Sequence, residues 1–248
     1  MSTTQRIGFG KKIRLVWLTE ALKLRAGGSD FDHARTELEP LIATTNPGKE
    51  AVRKVMANIR QVVFQPVATN IAHTEHGIEI VQENDRNAFC VAWGLSIASY
   101  SFVATTAETI GRLLKLQHNF TAADMSRRLT ERLGERGFVN RVARYNLSSF
   151  LDWGVVNCDA KKKRYSPGKS EKIKDGVLLA WLLEAVLLAS GQSGMPFSQA
   201  LSSPMLFPFE FDPVPATVLA NLNPRLHLVR QSLNEEFLSV CDVPISSS

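Results

Sequence analysis

Five polar side chains between residues 140 and 148 have the types and the spacing needed to hydrogen-bond a nucleic acid. They are Asn140, Arg141, Arg144, Tyr145 and Ser148. Asn140, Arg144 and Ser148 follow one another at intervals of four residues, so a helix would place them on one face with the other two beside them. Arg can form two hydrogen bonds to guanine and Asn can form two to adenine, whereas Tyr and Ser commonly reach phosphates.

A second group of side chains offers positive charge alone. Lys161, Lys162, Lys163 and Arg164 are consecutive, and Arg127 and Arg128 lie on the helix predicted before residue 139. Side chains of this kind neutralise phosphates and make binding depend on salt concentration. The sequence therefore predicts contacts of two kinds, to base edges and to the phosphate backbone.

The positive charge of the chain is concentrated around these residues. The whole sequence of 248 residues carries a net charge of +5. Residues 112–174 hold 15 Lys and Arg and 6 Asp and Glu, which gives a net charge of +9. The remaining residues hold 14 Lys and Arg and 18 Asp and Glu, which gives a net charge of −4. Such an asymmetry indicates a polyanionic partner and says little about the fold.

The segment that must position these side chains has a clear pattern of predicted elements. Thr121, with Asp124 three residues later, predicts the capped start of a helix over 122–133. Glycines at 134 and 137 supply a turn, and a second helix is predicted over 139–153. Two short strands, containing Val155, Val156 and Tyr165, would then flank a tip at 159–164.

In its order of elements, the segment 107–166 resembles the winged helix-turn-helix superfamily. The resemblance covers about a quarter of the chain and depends on order and spacing, with no diagnostic tetrapeptide. It implies that residues 139–152 form the helix that enters the major groove of double-stranded DNA. It also implies that residues 159–164 form the wing, which touches the DNA backbone or the minor groove.

The flanking sequence predicts a mainly α (α+β) protein. We expect a helical N-terminal region over 1–83, a winged helix-turn-helix with a preceding buried helix over 84–168, and a C-terminal α/β extension over 169–248. Helices are expected over 11–25, 29–42, 46–65 and 174–190, with a short strand or loop over 71–83 and strands near 207–211 and within 226–240. Gly28, Pro66 and the Gly/Ser/Pro-rich stretch after 190 separate these elements.

Residues 88–107 contain no charge and are long enough to span a bilayer. Their five Ser and Thr residues favour a buried helix of a cytoplasmic protein over a membrane span. Thr105 and Glu108 resemble a capping box, which would end this helix and start another. The odd number of widely spaced cysteines also favours a reducing compartment without a disulfide framework.

Other combinations of residues give weak signals for chemistry. His73 and His76 have helical spacing for two metal ligands but no third His or Cys nearby, and Gly8 and Gly10 lack the remaining positions of a phosphate-binding loop. The acidic pairs Asp30/Asp32 and Glu37/Glu39 would make a nuclease site only if they converged in space, and a helix start and a solvated face explain them better. We therefore expect no catalytic residue, no metal and no cofactor.

These patterns together predict a non-enzymatic protein that binds double-stranded DNA, as a regulator or as the DNA-recognition subunit of a larger DNA-processing or defence complex. The alternative is a scaffold subunit whose winged helix binds partner proteins. Protein partners or a homodimer are possible with either function, and no membrane partner is expected. The predicted helices on either side of the winged helix are compatible with both functions.

Overall fold

The computed structural model describes residues 8–241, except residues 47, 136, 233 and 234. The chain is mainly α-helical with small sheets of two or three strands, as the sequence predicts. The helices are α1 (Leu15–Ala26), α2 (Phe31–Ala43), α3 (Lys49–Ile59), α4 (Ile71–Glu83), α5 (Ala88–Ser99), α6 (Ser101–Gln117), α7 (Ala122–Leu133), α8 (Val139–Asp152), α9 (Gly176–Ser190), α10 (Phe197–Leu201) and α11 (Ala216–Leu222). A π turn at Arg60–Phe64 extends α3.

Eight short strands form three separate sheets within the described residues. They are β1 (Phe120–Thr121), β2 (Val156–Asp159), β3 (Arg164–Pro167), β4 (Glu171–Ile173), β5 (Gly194–Pro196), β6 (Phe209–Phe211), β7 (Leu226–Ser232) and β8 (Glu235–Val240). The first sheet has the antiparallel order β1-β3-β2, with Phe120 opposite Tyr165 and Cys158 opposite Tyr165 on its other side. Strands β4 and β6 pair in parallel, and the third sheet has the antiparallel order β5-β8-β7.

Helices α5 and α9 form the centre of the core because both are apolar on almost every side. The indole of Trp181 on α9 lies between glycines of two neighbouring helices. A Cβ atom on Gly94 would come within 2.3 Å of the Trp181 ring, and one on Gly77 would come within 2.8 Å. These two glycines let α4 and α5 approach a large side chain that is completely buried.

A buried ion pair lies at this core. The Glu184 carboxylate on α9 accepts hydrogen bonds from Arg225 Nε at 2.7 Å and from Asn223 Nδ2 at 2.8 Å. Burial raises the pKa of Glu184, but the neighbouring His73 ring, together with the hydrogen bonds from Arg225 and Asn223, outweighs burial and lowers it to about 2. The interaction attaches the chain after α11 to the central helix.

The uncharged stretch 88–107 folds as two helices, so the prediction of one continuous buried helix is wrong. Helix α5 ends at Ser99, and the next helix leaves Tyr100 at an angle of 114°. The expected capping box is absent, because Thr105 lies inside α6 and donates to the carbonyl of Ser101. Within the described residues, no single helix is long and apolar enough to cross a membrane; this bent pair reaches that length and apolarity only when its two helices are taken together.

The strand or loop expected over 71–83 is also wrong, since these residues form α4. The buried side of α4 includes His73, Thr74 and Gly77 beside Ile78 and Val81. Because polar residues and a glycine occupy core positions, the sequence of α4 lacks the regular spacing of apolar residues that predicts a helix.

Buried hydrophobic residues of all three predicted segments belong to one cluster, from Phe9 at the N-terminal side to Leu238 in β8. The boundaries at 83/84 and 168/169 stay predictions. The three cysteines are free thiols, of which Cys90 is buried and Cys158 is exposed.

Candidate nucleic-acid interface

Helices α6, α7 and α8 and the sheet β1-β3-β2 form a compact unit in the chain order helix, strand, helix, helix, hairpin. Helix α7 begins with the expected capping box: the Thr121 hydroxyl accepts from the backbone N–H of Asp124 at 3.1 Å, and the Asp124 carboxylate accepts from the backbone N–H of Thr121 at 2.9 Å. These bonds satisfy two backbone donors that the first turn of a helix leaves unpaired. Met125 and Leu129, four residues apart on α7, are buried.

The orientation of α8 is fixed by the residues that it buries. Phe150 packs against Trp93 of α5 with ring centroids 4.9 Å apart. The side-chain amide of Asn146 donates to the Thr106 hydroxyl of α6 at 3.0 Å, in a fully buried position. Because a buried amide needs its hydrogen bond, this contact sets the rotation of α8 about its axis and hence the face that it presents to solvent.

The side chains predicted to read DNA lie on that outer face. Asn140, Arg141 and Arg144 are exposed, whereas Tyr145 and Ser148 are half-buried. No Asp or Glu in the described part of the chain forms an ion pair with Arg141 or Arg144. The two guanidinium groups are therefore available for an external anion.

The structure distinguishes the two arginines of α7. Arg127 lies 3.8 Å from a carboxylate oxygen of Asp124 and 3.8 Å from one of Glu131. Arg128 is exposed and, in the described residues, has no such acidic neighbour. Arg128 is therefore the better source of positive charge on this helix.

The basic tip has a defined turn although it lacks an Asn-Gly pair. The Asp159 carboxylate accepts hydrogen bonds from the backbone N–H groups of Lys161 and Lys162 at 3.0 and 3.1 Å. Lys163 then adopts a left-handed conformation with φ of 51°. All three lysines of the tip are exposed.

Arg164 has a different position from the lysines beside it. Its Nη1 donates to the side-chain oxygen of Asn119 at 2.5 Å, next to β1. Arg164 therefore joins the hairpin to the start of the sheet in addition to contributing charge.

The N-terminal segment 9–15, which sequence reasoning did not assign to the site, packs along α8. The backbone N–H of Ile13 donates to the Ser149 hydroxyl at 2.9 Å, and the indole N–H of Trp153 donates to the carbonyl of Ile13 at 2.9 Å. A Cβ atom on Gly8 would lie 2.9 Å from Val142, so the segment approaches α8 closely at this end as well.

This segment also changes the charge near α8. Lys12 Nζ and Arg14 Nε lie 3.0 and 3.1 Å from the same oxygen of Asp152, at the end of α8. Burial raises the pKa of Asp152, but bonds from Lys12, from the backbone N–H of Leu15 and from Arg14 lower it below its usual value. Lys11 Nζ lies 5.9 Å from the ring centre of Tyr145. The acidic end of α8 is thus neutralised, and Lys11 lies beside a predicted contact residue.

The weaker candidates have structural roles. His73 is buried and stacks on Trp181 with ring centres 4.3 Å apart, and its Nδ1 lies 3.5 Å from a Glu184 oxygen. Asp30 accepts from the backbone N–H of His33 at the start of α2, and Glu39 pairs with Arg35 one turn earlier. No group of three or more His, Cys, Asp and Glu side chains suited to a metal ion occurs among the described residues.

Comparisons with known protein families, with curated proteins and with solved structures give no match for this chain.

Proposed function

We propose that the unit from α6 to β3 is a winged helix that binds double-stranded DNA, and that the protein is a non-enzymatic DNA-binding protein of the cytoplasm. Its role would be that of a regulator or of the recognition subunit of a larger complex. The element order and the sheet order β1-β3-β2 support this proposal, because they place a hairpin directly after the helix that the resemblance assigns to the major groove.

The observation that carries the proposal is the set of exposed cations without acidic partners. Arg141 and Arg144 on α8 and the three tip lysines of the hairpin 156–167 form no ion pair with described residues. Some other exposed cations, such as Arg53 and Arg112, are paired with carboxylates on their own helix. Unpaired cations on consecutive elements favour an external polyanion.

The distribution of exposed hydrophobic side chains favours DNA over a protein partner for α7, α8 and the hairpin. Protein interfaces bury apolar and aromatic residues at their centre. The large hydrophobic residues that are exposed in the described chain include Leu116 at the end of α6 and Val218 and Val229 near the C-terminus, but none on α7, α8 or the hairpin. The proposal that the winged helix binds protein therefore has less support.

In the proposed complex, α8 enters the major groove. Asn140, Arg141 and Arg144 would contact base edges, and Tyr145 and Ser148 would reach phosphates. The hairpin tip would neutralise the adjacent backbone, assisted by Arg128 and Lys11. The base contacts determine sequence preference, whereas the phosphate contacts contribute affinity for any duplex.

The test is duplex binding by wild type and by the variant K161Q/K162Q/K163N, measured by fluorescence anisotropy at low salt. Asn is chosen at 163 because it tolerates the left-handed backbone conformation of that residue. Arg164 is retained because of its bond to Asn119. We expect affinity for duplex DNA to fall by about 10- to 100-fold.

The matched control is K23Q/K49Q/K54Q, which removes three positive charges from exposed side chains of α1 and α3. Its affinity for DNA should stay close to that of wild type. If wild type binds no duplex at low salt, or if the two variants lose affinity equally, the DNA-binding proposal is wrong. Capture of a protein partner through α8 would then support the scaffold alternative.

A further inference from the structure

A cavity of about 350 Å³ lies on a different part of the molecule from the outer face of α8. It opens to solvent and is lined by α6, by the residues at the base of the hairpin and by the segment 201–211. The volume is at the lower end of the range of about 300–1,000 Å³ that small-molecule sites occupy. The size alone therefore indicates a small ligand.

The cavity offers an apolar surface for most of such a ligand. Leu114 of α6 lines one side, and Phe207, Phe209 and Phe211 line the other. Phe209 and Leu114 are buried, and the other two rings are half-buried. An apolar body placed against these side chains would be removed from water, which is the main favourable term in such binding.

The polar part of the lining has two lysines beside the hydroxyl groups of Ser170, Ser202 and Ser203. Lys115 and Lys169 both line the cavity and are exposed, and neither forms an ion pair with a described residue. Among the described residues that line it, there is no Asp and no Glu. A ligand with one negative charge would complement the two ammonium groups.

The walls are held in place by backbone contacts that require glycine. A Cβ atom on Gly111 would lie 2.0 Å from the carbonyl oxygen of Pro204, so α6 and the segment 201–211 touch through their backbones. A Cβ atom on Gly168 would lie 2.0 Å from the carbonyl oxygen of Gly154, at the base of the hairpin. The cavity is therefore formed before any ligand arrives, which reduces the cost of binding.

We propose that this cavity binds a small organic carboxylate with an apolar body. The apolar part lies against the phenylalanine side chains, and the carboxylate interacts with Lys115 and Lys169. The site shares α6 and the base of the hairpin with the unit proposed to bind DNA, but its described lining includes no residue of α8 and no tip lysine.

Isothermal titration calorimetry with decanoate and decanol tests the proposal. The two probes have the same chain length and differ in charge, so the lysines should favour decanoate. The variant K115Q/K169Q should bind decanoate about tenfold more weakly and bind decanol as wild type does. The control K49Q/K54Q removes two lysines from α3 and should bind both probes as wild type does.

Several results would overturn the proposal. Wild type that binds neither probe rules out the site, and equal affinity for decanoate and decanol rules out the role of the charge. The role of the charge is also ruled out if K115Q/K169Q retains wild-type affinity for decanoate. It is likewise ruled out if K49Q/K54Q loses as much affinity for decanoate as K115Q/K169Q does. All four substituted side chains are exposed, so circular dichroism should show unchanged folding in both variants.

Discussion

Replacing Glu184 by Gln should lower the free energy of unfolding by about 3 kcal/mol at neutral pH. In the folded protein the pKa of Glu184 is about 2, against an ordinary value of 4.5. A tenfold change in proton affinity corresponds to about 1.4 kcal/mol, so this difference in pKa amounts to about 3 kcal/mol. Removal of one partner from a buried ion pair typically costs about 3–5 kcal/mol, which agrees with that value.

The sign of the pH dependence follows from the direction of the pKa change. Because folding lowers the pKa of Glu184, its contribution to stability is complete above the ordinary pKa of 4.5 and is lost as the pH falls toward 2. The difference between wild type and E184Q should therefore be largest at pH 7 and fall below half of that value near pH 3. Urea unfolding, monitored by circular dichroism at several pH values, measures this difference in the free energy of unfolding.

The control is E50Q. The pKa of Glu50 is also lowered to about 2, by Arg53 and Lys54, but its side chain is exposed to solvent. Solvent screens such a pair, so E50Q should leave the unfolding midpoint unchanged.

If E184Q is too unstable to study, E184M/R225M removes both charges and should be more stable than R225M alone. The reasoning would be refuted if E184Q lowered the free energy of unfolding by less than about 1 kcal/mol, or if the decrease did not vary with pH.

Three further substitutions test other parts of the structure. G94A should destabilise the protein by about 1–3 kcal/mol, because its Cβ would lie 2.3 Å from Trp181; unchanged urea unfolding would contradict this. D152N should lower the thermal midpoint because it removes the charge that Lys12 and Arg14 share, and a midpoint equal to wild type would show that the segment 9–15 does not depend on this contact. R144A should weaken binding to a preferred duplex by about 1–3 kcal/mol and weaken binding to random duplex less; equal losses would exclude base reading by Arg144.

The parts of the fold that the sequence predicts are those governed by local spacing. The apolar residues of α7 recur at intervals of four, and its capping box lies within four consecutive residues. Helix α9 and the strands β7 and β8 are also predicted, because a long apolar run and two strand-like runs indicate them. Periodicity and capping are sufficient where a helix has one apolar face.

The parts that the sequence does not predict depend on contacts between distant residues. The break at Tyr100 has no Gly or Pro signal, and the helix α4 has polar residues in its buried face. In the candidate site, Ile13 bonds to Ser149, which lies 136 residues later. Spacing along the chain contains no information about such a contact, so the lysines at 11 and 12 could not be assigned to the site from sequence.

The most direct test of the proposed DNA binding is the salt dependence of duplex affinity. For wild type, the logarithm of the association constant should fall linearly with the logarithm of salt concentration, with a slope of about −0.9 for each phosphate that is neutralised. The variant K161Q/K162Q/K163N should show a slope shallower by about 2.7, because each of its three lysines would neutralise one phosphate. The control K23Q/K49Q/K54Q should keep the wild-type slope. Identical slopes for wild type and the tip variant would contradict the account, because the hairpin tip would then make no contact with the DNA backbone.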